Sequence, residues 1–214
     1  MLLTMFYDLI IATGETIYMV LVSTFFALLI GLPFGTILYT SGRVKPNPIL
    51  HRTLAGLINI CRSIPFSILL VALIPLTRII VGTSIGIHAA MVPLTLGAAP
   101  FFARLVDNAY QSLPSGLIDA GYAMGTNTWQ MIRYILLPEA RPALIHAMTV
   151  TAITLVNYSA MAGTVGGGGL GDLAIRYGYQ RFNPGMMLAT VAILVIIVQL
   201  LQMGGDRLAQ RFSR

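Results

Sequence analysis

The chain has 214 residues, of which 57% are hydrophobic and 9% are charged, and its mean hydropathy is +0.83. Because soluble domains carry about 25% charged residues, this composition excludes a soluble globular surface and indicates a protein embedded in lipid. The formal net charge of +6 does not indicate nucleic-acid binding, because the basic residues are scattered at the ends of apolar runs.

The apolar runs predict an all-α integral membrane protein with five transmembrane helices in a single domain, 1–214. In chain order, the predicted spans are 16–41, 54–76, 86–106, 142–163 and 186–203. At about 20 residues per spanning helix, these five spans fill the chain and leave no room for a separate soluble domain. Any energy source must therefore lie on another chain.

Prolines, glycines and one charge interrupt the first two spans. Gly31, Pro33 and Gly35 lie in the second half of the first span, where we predict a packing kink covered by neighbouring helices. Arg62 lies about two turns into the second span, and we favour an anchoring or helix-packing role over a functional charge at membrane depth. The single cysteine, Cys61, has apolar neighbours and is predicted to be a buried, inert thiol.

The distribution of basic residues predicts the orientation of the chain. Nine lysines and arginines fall on one side of the predicted spans: Arg43, Lys45, Arg52, Arg104, Arg133, Arg141, Arg207, Arg211 and Arg214. Three fall on the other side: Arg78, Arg176 and Arg181. Because cytoplasmic connections carry the excess of basic residues, we expect the N-terminus outside and the C-terminus in the cytoplasm.

The longest polar connection follows the third span and is predicted to form two short helices. Ser115 is the expected N-cap of the first helix, and Gly125 suits a left-handed residue at its C-terminal end. Thr126 or Thr128 is expected to cap the second helix, which Pro138 is expected to end. From the residues alone, an interfacial amphipathic linker between two spans remains an open alternative.

A spaced motif in this connection resembles the EAA motif of ABC-importer permeases. It consists of Asp119–Ala120–Gly121, three residues, Gly125, nine residues and Ile135–Leu136–Leu137–Pro138, with Asp and Gly in place of Glu and Ala. The resemblance implies that 115–138 is a coupling helix pair that docks into a groove on a separate ATPase subunit. The ATPase-coupling residues that it implies are Asp119, Ala120, Gly121, Gly125, Ile135, Leu137 and Pro138.

Further stretches resemble the methionine-importer permeases, a small five-span form. They lie at 62–66, 81–84, 92–95, 98–101, 158–161 and 166–172. The resemblance implies a multi-pass protein of the bacterial inner membrane that forms the translocation pathway for methionine, D or L. It also implies a homodimer of this chain, two cytoplasmic ATPase subunits and an extracytoplasmic methionine-binding protein.

Four polar or polarisable residues in the outer half of the fourth span are pore or gate candidates. They are Asn157, Tyr158, Ser159 and Met161. In the resembling permeases this region lines the pathway and Met161 would lie at the dimer axis, while simple packing within the span remains an equal alternative.

A glycine motif follows the fourth span on the expected outer side. Gly166, Gly168 and Gly171 match G-x-G-x-x-G, but a dinucleotide site needs this motif in a soluble βαβ unit. We therefore predict a flexible or tightly turned outer loop against which a binding protein could sit. The nearby candidates for docking a binding protein are Arg176, Tyr177, Tyr179 and Arg181. An aromatic belt at the membrane interface is the open alternative for these residues.

No catalytic, metal or cofactor site is predicted. His51, His88 and His146 lie in separate segments, and we expect them to lack cysteine or carboxylate partners. The expected function is thus transport rather than catalysis, with ATP hydrolysis on a partner subunit. The alternatives are a stand-alone secondary amino-acid transporter and an ABC permease for another small polar solute. The former is disfavoured because five spans do not form equal halves and the spans lack carboxylates.

Overall fold

The computed structural model describes residues 2–212, and all regular structure within that range is helical. In chain order the α-helices are α1 (Leu2–Arg43), α2 (Pro48–Ser63), α3 (Phe66–Ala72), α4 (Ile74–Val81), α5 (Ile87–Gln111), α6 (Gly116–Ala123), α7 (Thr128–Gln130), α8 (Leu137–Glu139), α9 (Arg141–Gly163), α10 (Gly169–Leu173) and α11 (Pro184–Phe212). Two π-helical stretches, Met131–Leu136 and Ala174–Tyr179, join α7 to α8 and follow α10. The predicted all-α class is confirmed.

Four helices are long and apolar enough to cross a membrane. They are α1 from Met5 onward, α5, α9 and α11, and the bent pair α2 and α3 makes a fifth candidate if it counts as one span. A chain with four to five such helices is a multi-spanning membrane protein.

The outermost helices are longer than their predicted spans. α1 begins at Leu2 instead of 16, and its 42 residues reach about 63 Å at ~1.5 Å per residue, about twice the ~30 Å hydrocarbon core. α11 ends at Phe212 instead of 203, so Arg207 and Arg211 are helical, while Arg214 lies outside the described residues. The hydropathy of the sequence marks the part of a helix that suits lipid, and it does not mark where the helix ends.

The predicted second span is not one helix. α2 ends at Ser63 and α3 begins at Phe66, with their axes bent by 97°. Pro65 disfavours helical geometry at the residue before it, and Ile64 is accordingly extended, with φ −80° and ψ 122°. A second interruption at Leu73 separates α3 from α4.

The most extensive helix contact in the described chain joins α1 to α5. Gly31 and Gly35 lie at this contact, where a Cβ on Gly31 would come within 2.7 Å of the Ala99 carbonyl oxygen. A Cβ on Gly35 would overlap the Ala103 carbonyl and approach Val106 Cβ to 2.6 Å. Small residues of this kind let two membrane helices approach closely, which strengthens dispersion contacts between their backbones.

The packed side chains distinguish the two ends of the bundle. At the end where α1 finishes at Arg43, which we call the basic end, the buried cluster includes Tyr39, Tyr110, Met131 and Leu136. At the opposite end, Ala12, Leu170, Leu173 and Met186 pack together. Residues 164–170 connect α9 to α10 and include the first two residues of α10, and we call them the glycine loop.

Asp107 is a buried carboxylate near the basic end of α5, and sequence reasoning did not single it out. Its Oδ2 accepts from Arg104 at 3.1 Å and from the Gln111 amide at 2.8 Å. Both partners lie on the same helix, so the charge is neutralised locally, as a buried carboxylate requires.

We predict that Gly35→Ala destabilises the protein by about 1–3 kcal/mol, because the added methyl group must force α1 and α5 apart. Thermal unfolding of the detergent-purified variant measures the loss. Gly14→Ala, on the same helix but with nothing within 4 Å of a Cβ, is the matched control and is expected to unfold no earlier than the parent protein. Equal unfolding temperatures for the two variants would contradict the close-packing argument.

Candidate functional site

The connection between α5 and α9 folds into two short helices that pack against each other. The first is α6, and the second is the helical range 128–139. Gly121 of α6 is buried at their contact, where a Cβ would come within 2.6 Å of Met131 Cε and 2.8 Å of Ile135 Cδ1. A glycine at this position therefore lets the second helix lie directly against the first.

A glycine turn joins the two helices. Gly125 has φ +73°, the left-handed conformation predicted for it. The backbone N–H and the hydroxyl of Thr126 both donate to the Gly121 carbonyl, at 3.1 and 2.9 Å. Together these bonds fix the direction in which the chain reverses.

The predicted cap position holds for the first helix and fails for the second. Ser115 occupies the N-cap of α6 as predicted, although its side chain makes no capping bond. Asn127, rather than Thr126 or Thr128, caps the second helix. Its side chain accepts from the Gln130 N–H while the Gln130 side chain accepts from the Asn127 N–H, both at 2.9 Å. The prediction of a threonine cap was wrong.

The motif residues divide into an outer and an inner set. Asp119 and Ala120 are exposed on α6, whereas Ile135, Leu137 and Pro138 are half-buried against the basic end of the bundle. The second helix ends at Glu139, one residue after Pro138 and close to the predicted end.

Large apolar side chains cover the outer surface of the helix pair. Met124 is 71% exposed, Trp129 66% and Tyr134 68%, and we call these three the apolar face. An exposed patch of this kind next to charged side chains is typical of a protein contact. The Tyr122 hydroxyl donates to the Val44 carbonyl and ties α6 to the residue that follows α1.

A cavity of ≈100 Å³ lies beside the break between α2 and α3. Its lining residues are Cys61, Arg62, Ile64, Phe66, Leu69, Gly97, Phe101 and Tyr158. The Tyr158 and Phe66 rings stack with centroids 4.2 Å apart, and the Arg62 guanidinium lies 5.9 Å from the centroid of Phe101. Cys61 is half-buried rather than buried, because the bend opens the helix surface around it.

The four pore candidates of α9 do not share one environment. Tyr158 lines the cavity, and Asn157 and Met161 are exposed. Ser159 is buried, and its hydroxyl donates to the Val156 carbonyl of the same helix at 2.7 Å. The structure therefore directs Ser159 into the bundle, away from the cavity.

The N-terminal half of α1 holds the glycine loop in place. The Gly169 N–H donates to the Glu15 carboxylate and the Leu170 N–H to the Thr16 hydroxyl, both at 2.8 Å. Gly169 has φ +73° and lies so close to Thr16 that a Cβ would come within 2.6 Å of its hydroxyl oxygen. Sequence reasoning missed this anchor, because its partners lie 154 residues apart.

The docking candidates gather beyond α10. The Arg176 and Arg181 guanidinium groups lie 5.4 and 4.5 Å from the centroid of the Tyr177 ring. Arg181 is the cation nearer the ring, and Arg176 also forms an ion pair with Asp172 at 2.8 Å. Tyr179 is 68% exposed and points away from the core.

One histidine departs from its prediction. His146 Nδ1 lies 3.7 Å from Asp206 Oδ1, because α11 continues past its predicted end and carries Asp206 alongside α9. This pair is too small a set for a metal centre, and within residues 2–212 no group of three or more His, Cys, Asp or Glu side chains comes together.

A multi-spanning helical bundle, with a cavity beside a broken span and an exposed helix pair at its basic end, has the architecture of a membrane permease. Residues 31–214 match the family described as binding-protein-dependent transport system inner membrane component, and the chain belongs to this family. The family predicted from the EAA-like motif is thereby confirmed.

Relatives with assigned names are similar to this chain over most of its length. The chain is 49% identical over 205 residues to the probable D-methionine transport system permease protein MetI of Vibrio cholerae, covering 95% of this chain and 91% of the relative. It is 55% identical over 161 residues to the D-methionine permease MetI of Escherichia coli K12, covering 74% of each.

Structural similarity extends over nearly the whole chain. A crystal structure of the MetNI methionine ABC transporter in inward-facing conformations superposes with a TM-score of 0.97, at 51% identity and 99% coverage of both chains. An amino acid ABC transporter at 17% identity has a TM-score of 0.80, which shows that the fold is shared.

We predict that Glu15→Ala raises amide hydrogen exchange at Gly169 about 10- to 100-fold, because a hydrogen bond to a charged acceptor contributes ~1.5–3 kcal/mol. Exchange measured by mass spectrometry on peptides that cover the glycine loop tests this. Glu15→Gln retains an acceptor oxygen and should give a smaller increase, and Asp8→Ala controls for loss of charge on α1. Unchanged exchange in Glu15→Ala would show that the bond does not hold the loop.

Proposed function

We propose that this chain is the membrane-spanning subunit of an ATP-binding-cassette importer for methionine, D or L. The observation that carries the proposal is the exposed helix pair, whose sequence has the EAA spacing and whose outer surface is apolar. The names of the methionine permeases and of the MetNI transporter, similar to this chain over most of its length, support the choice of cargo.

In the proposed topology the basic end lies in the cytoplasm. Eight described basic residues at or near this end, against three at the other, match the excess that cytoplasmic connections carry. With α2 and α3 counted as one span, α1, α5, α9 and α11 complete five. The N-terminus then lies outside, and the helix pair faces the cytosol, where ATP is available.

The helix pair acts as a lever in this proposal. Asp119, Ala120 and the apolar face would contact an ATPase subunit, while Ile135, Leu137 and Pro138 hold the pair against the bundle. Closure of two ATPase subunits on ATP would move the helix pair of each permease copy. The permease would then pass between outward- and inward-facing states, each favoured by the partner bound to it.

The proposed assembly contains two copies of this chain, two ATPase subunits and an extracytoplasmic methionine-binding protein. α1 and α11 carry many exposed apolar side chains, which lipid and the second copy would cover. At the outer end, Arg181 and Tyr179 offer a cation and an aromatic ring to the binding protein. ATP hydrolysis belongs to the partner subunits, and this chain is a permease rather than an enzyme.

We predict that Gly125→Val abolishes ATP-dependent uptake while membrane insertion stays intact. A β-branched residue is strained at the positive φ of Gly125, and nothing lies within 4 Å of an added Cβ, so the turn rather than the bundle should be disturbed. Uptake of labelled methionine into proteoliposomes with the ATPase and binding protein measures the effect.

Gly125→Asn is the matched control, because asparagine adopts left-handed geometry more readily than other residues with a side chain. We expect it to retain most of the uptake that valine removes. Normal uptake by Gly125→Val would argue against coupling through this turn.

The choice of cargo is tested by stimulation of ATPase activity in the same reconstituted complex. L- or D-methionine bound to the binding protein should stimulate hydrolysis, while a panel of polar amino acids should not. Stimulation by a different small solute would favour the alternative ABC permease. Uptake that persists without ATP and follows an ion gradient would favour a secondary transporter.

A further inference from the structure

Arg62 lies beside the middle of the bundle rather than at its basic end. The bend after Ser63 turns the end of α2 against Gly97 and Phe101, which lie near the centre of the 25-residue α5. At ~1.5 Å per residue, Phe101 is about 15 Å from the basic end of α5. The guanidinium therefore lies beside the middle of α5, on the rim of the cavity, and not at the basic end of that helix.

Among the described residues, none of the three ion pairs includes Arg62. Asp107, the buried carboxylate of α5, is already paired with Arg104. The Phe101 ring lies at 5.9 Å, close to the ~6 Å limit of a cation–π contact, and so accounts for little of the charge. A guanidinium that lines a cavity and makes no ion pair among the described residues is available to bind a carboxylate.

The cavity beside Arg62 combines a cation with aromatic walls. Phe101 and the stacked Phe66 and Tyr158 rings form the walls, and three different helices supply them. Binding sites in membrane transporters commonly form at broken spanning helices, and α2 and α3 are separated by such a break. Aromatic rings contact thioether sulfur favourably, and a guanidinium binds a carboxylate through two parallel hydrogen bonds.

We propose that this cavity is a transit subsite for an amino acid with an apolar or thioether side chain, in which Arg62 binds the α-carboxylate. At ≈100 Å³ the cavity of one copy accommodates the carboxylate end, and the side chain of the substrate lies along Phe66 and Tyr158. This inference rests on the proposed function, since it requires substrate to pass through the permease. It places recognition of the cargo within the membrane, in addition to the binding protein.

Uptake and ATPase activity of the reconstituted importer, measured with saturating methionine-loaded binding protein, test the subsite. Arg62→Met should lower the maximal uptake rate at least tenfold while stimulation of the ATPase by the loaded binding protein stays within twofold of the parent. Both docking surfaces lie away from the cavity, so stimulation should survive. Arg62→Lys keeps the charge but loses the bidentate geometry of the guanidinium, and its uptake rate should lie between those of the parent protein and Arg62→Met.

Arg52→Met, on the same helix but outside the cavity, is the matched control and should transport like the parent protein. Uptake by Arg62→Met equal to that of Arg52→Met would overturn the proposal. Loss of uptake and stimulation together, at an unchanged unfolding temperature, would also overturn it, because Arg62 would then serve coupling.

Should Arg62→Met not fold, the Arg62→Lys variant decides, since a purely structural charge predicts full uptake from lysine. If the parent complex itself shows no ATP-dependent uptake of methionine, the proposed function fails and not the subsite alone.

Discussion

The close contact of α1 with α5 is the interaction on which the other elements depend. In lipid, apolar side chains gain little by leaving their solvent, so helices associate through close packing and interhelical hydrogen bonds. Gly31 and Gly35 remove the side chains that would hold the two backbones apart. The central residues of α5, Gly97 and Phe101, form one wall of the cavity. The two ends of α1 extend to the helix pair and to the glycine loop.

The break at Pro65 interrupts a spanning segment, whereas the contact of α1 with α5 joins two continuous helices. A spanning segment normally satisfies its backbone hydrogen bonds within one helix, and irregular backbone at membrane depth occurs only where protein or a cavity covers it. Here the neighbours α5 and α9 cover the break, through Phe101 and through the stacking of Tyr158 on Phe66. The same proline that interrupts the helix thus opens the cavity and brings Arg62 into it.

Sequence reasoning succeeded where a property is local. The third and fourth spans were predicted at 86–106 and 142–163, close to the helices Ile87–Gln111 and Arg141–Gly163, because their apolar runs end near their helix ends. The positive φ of Gly125 was likewise predictable from one residue and its spacing. The helical start of α1 was missed, since its charges Asp8 and Glu15 belong to a helix that continues beyond lipid.

Contacts between distant residues could not be predicted in the same way. The bonds from the glycine loop to Glu15 and Thr16, and the proximity of His146 to Asp206, depend on which helices are neighbours. The prediction of the residue that caps the second short helix failed for a different reason. Thr126, Asn127 and Thr128 are all capping residues, and only the reciprocal bond with Gln130 favours Asn127.

The chain consequently contains one continuous element and one divided element with different mechanical properties. α1 is unbroken over the ~40 Å from Thr16, which holds the glycine loop, to Arg43, next to the carbonyl that Tyr122 of the helix pair binds. α1 therefore connects the helix pair at one end of the bundle to the glycine loop at the other through one continuous helix. The divided element, α2 to α4, has non-helical residues at Ile64 and Leu73 that absorb changes of direction. The cavity is lined by α2 and α3 of the divided element and by α5 and α9, so a movement of α3 relative to α5 and α9 changes its shape.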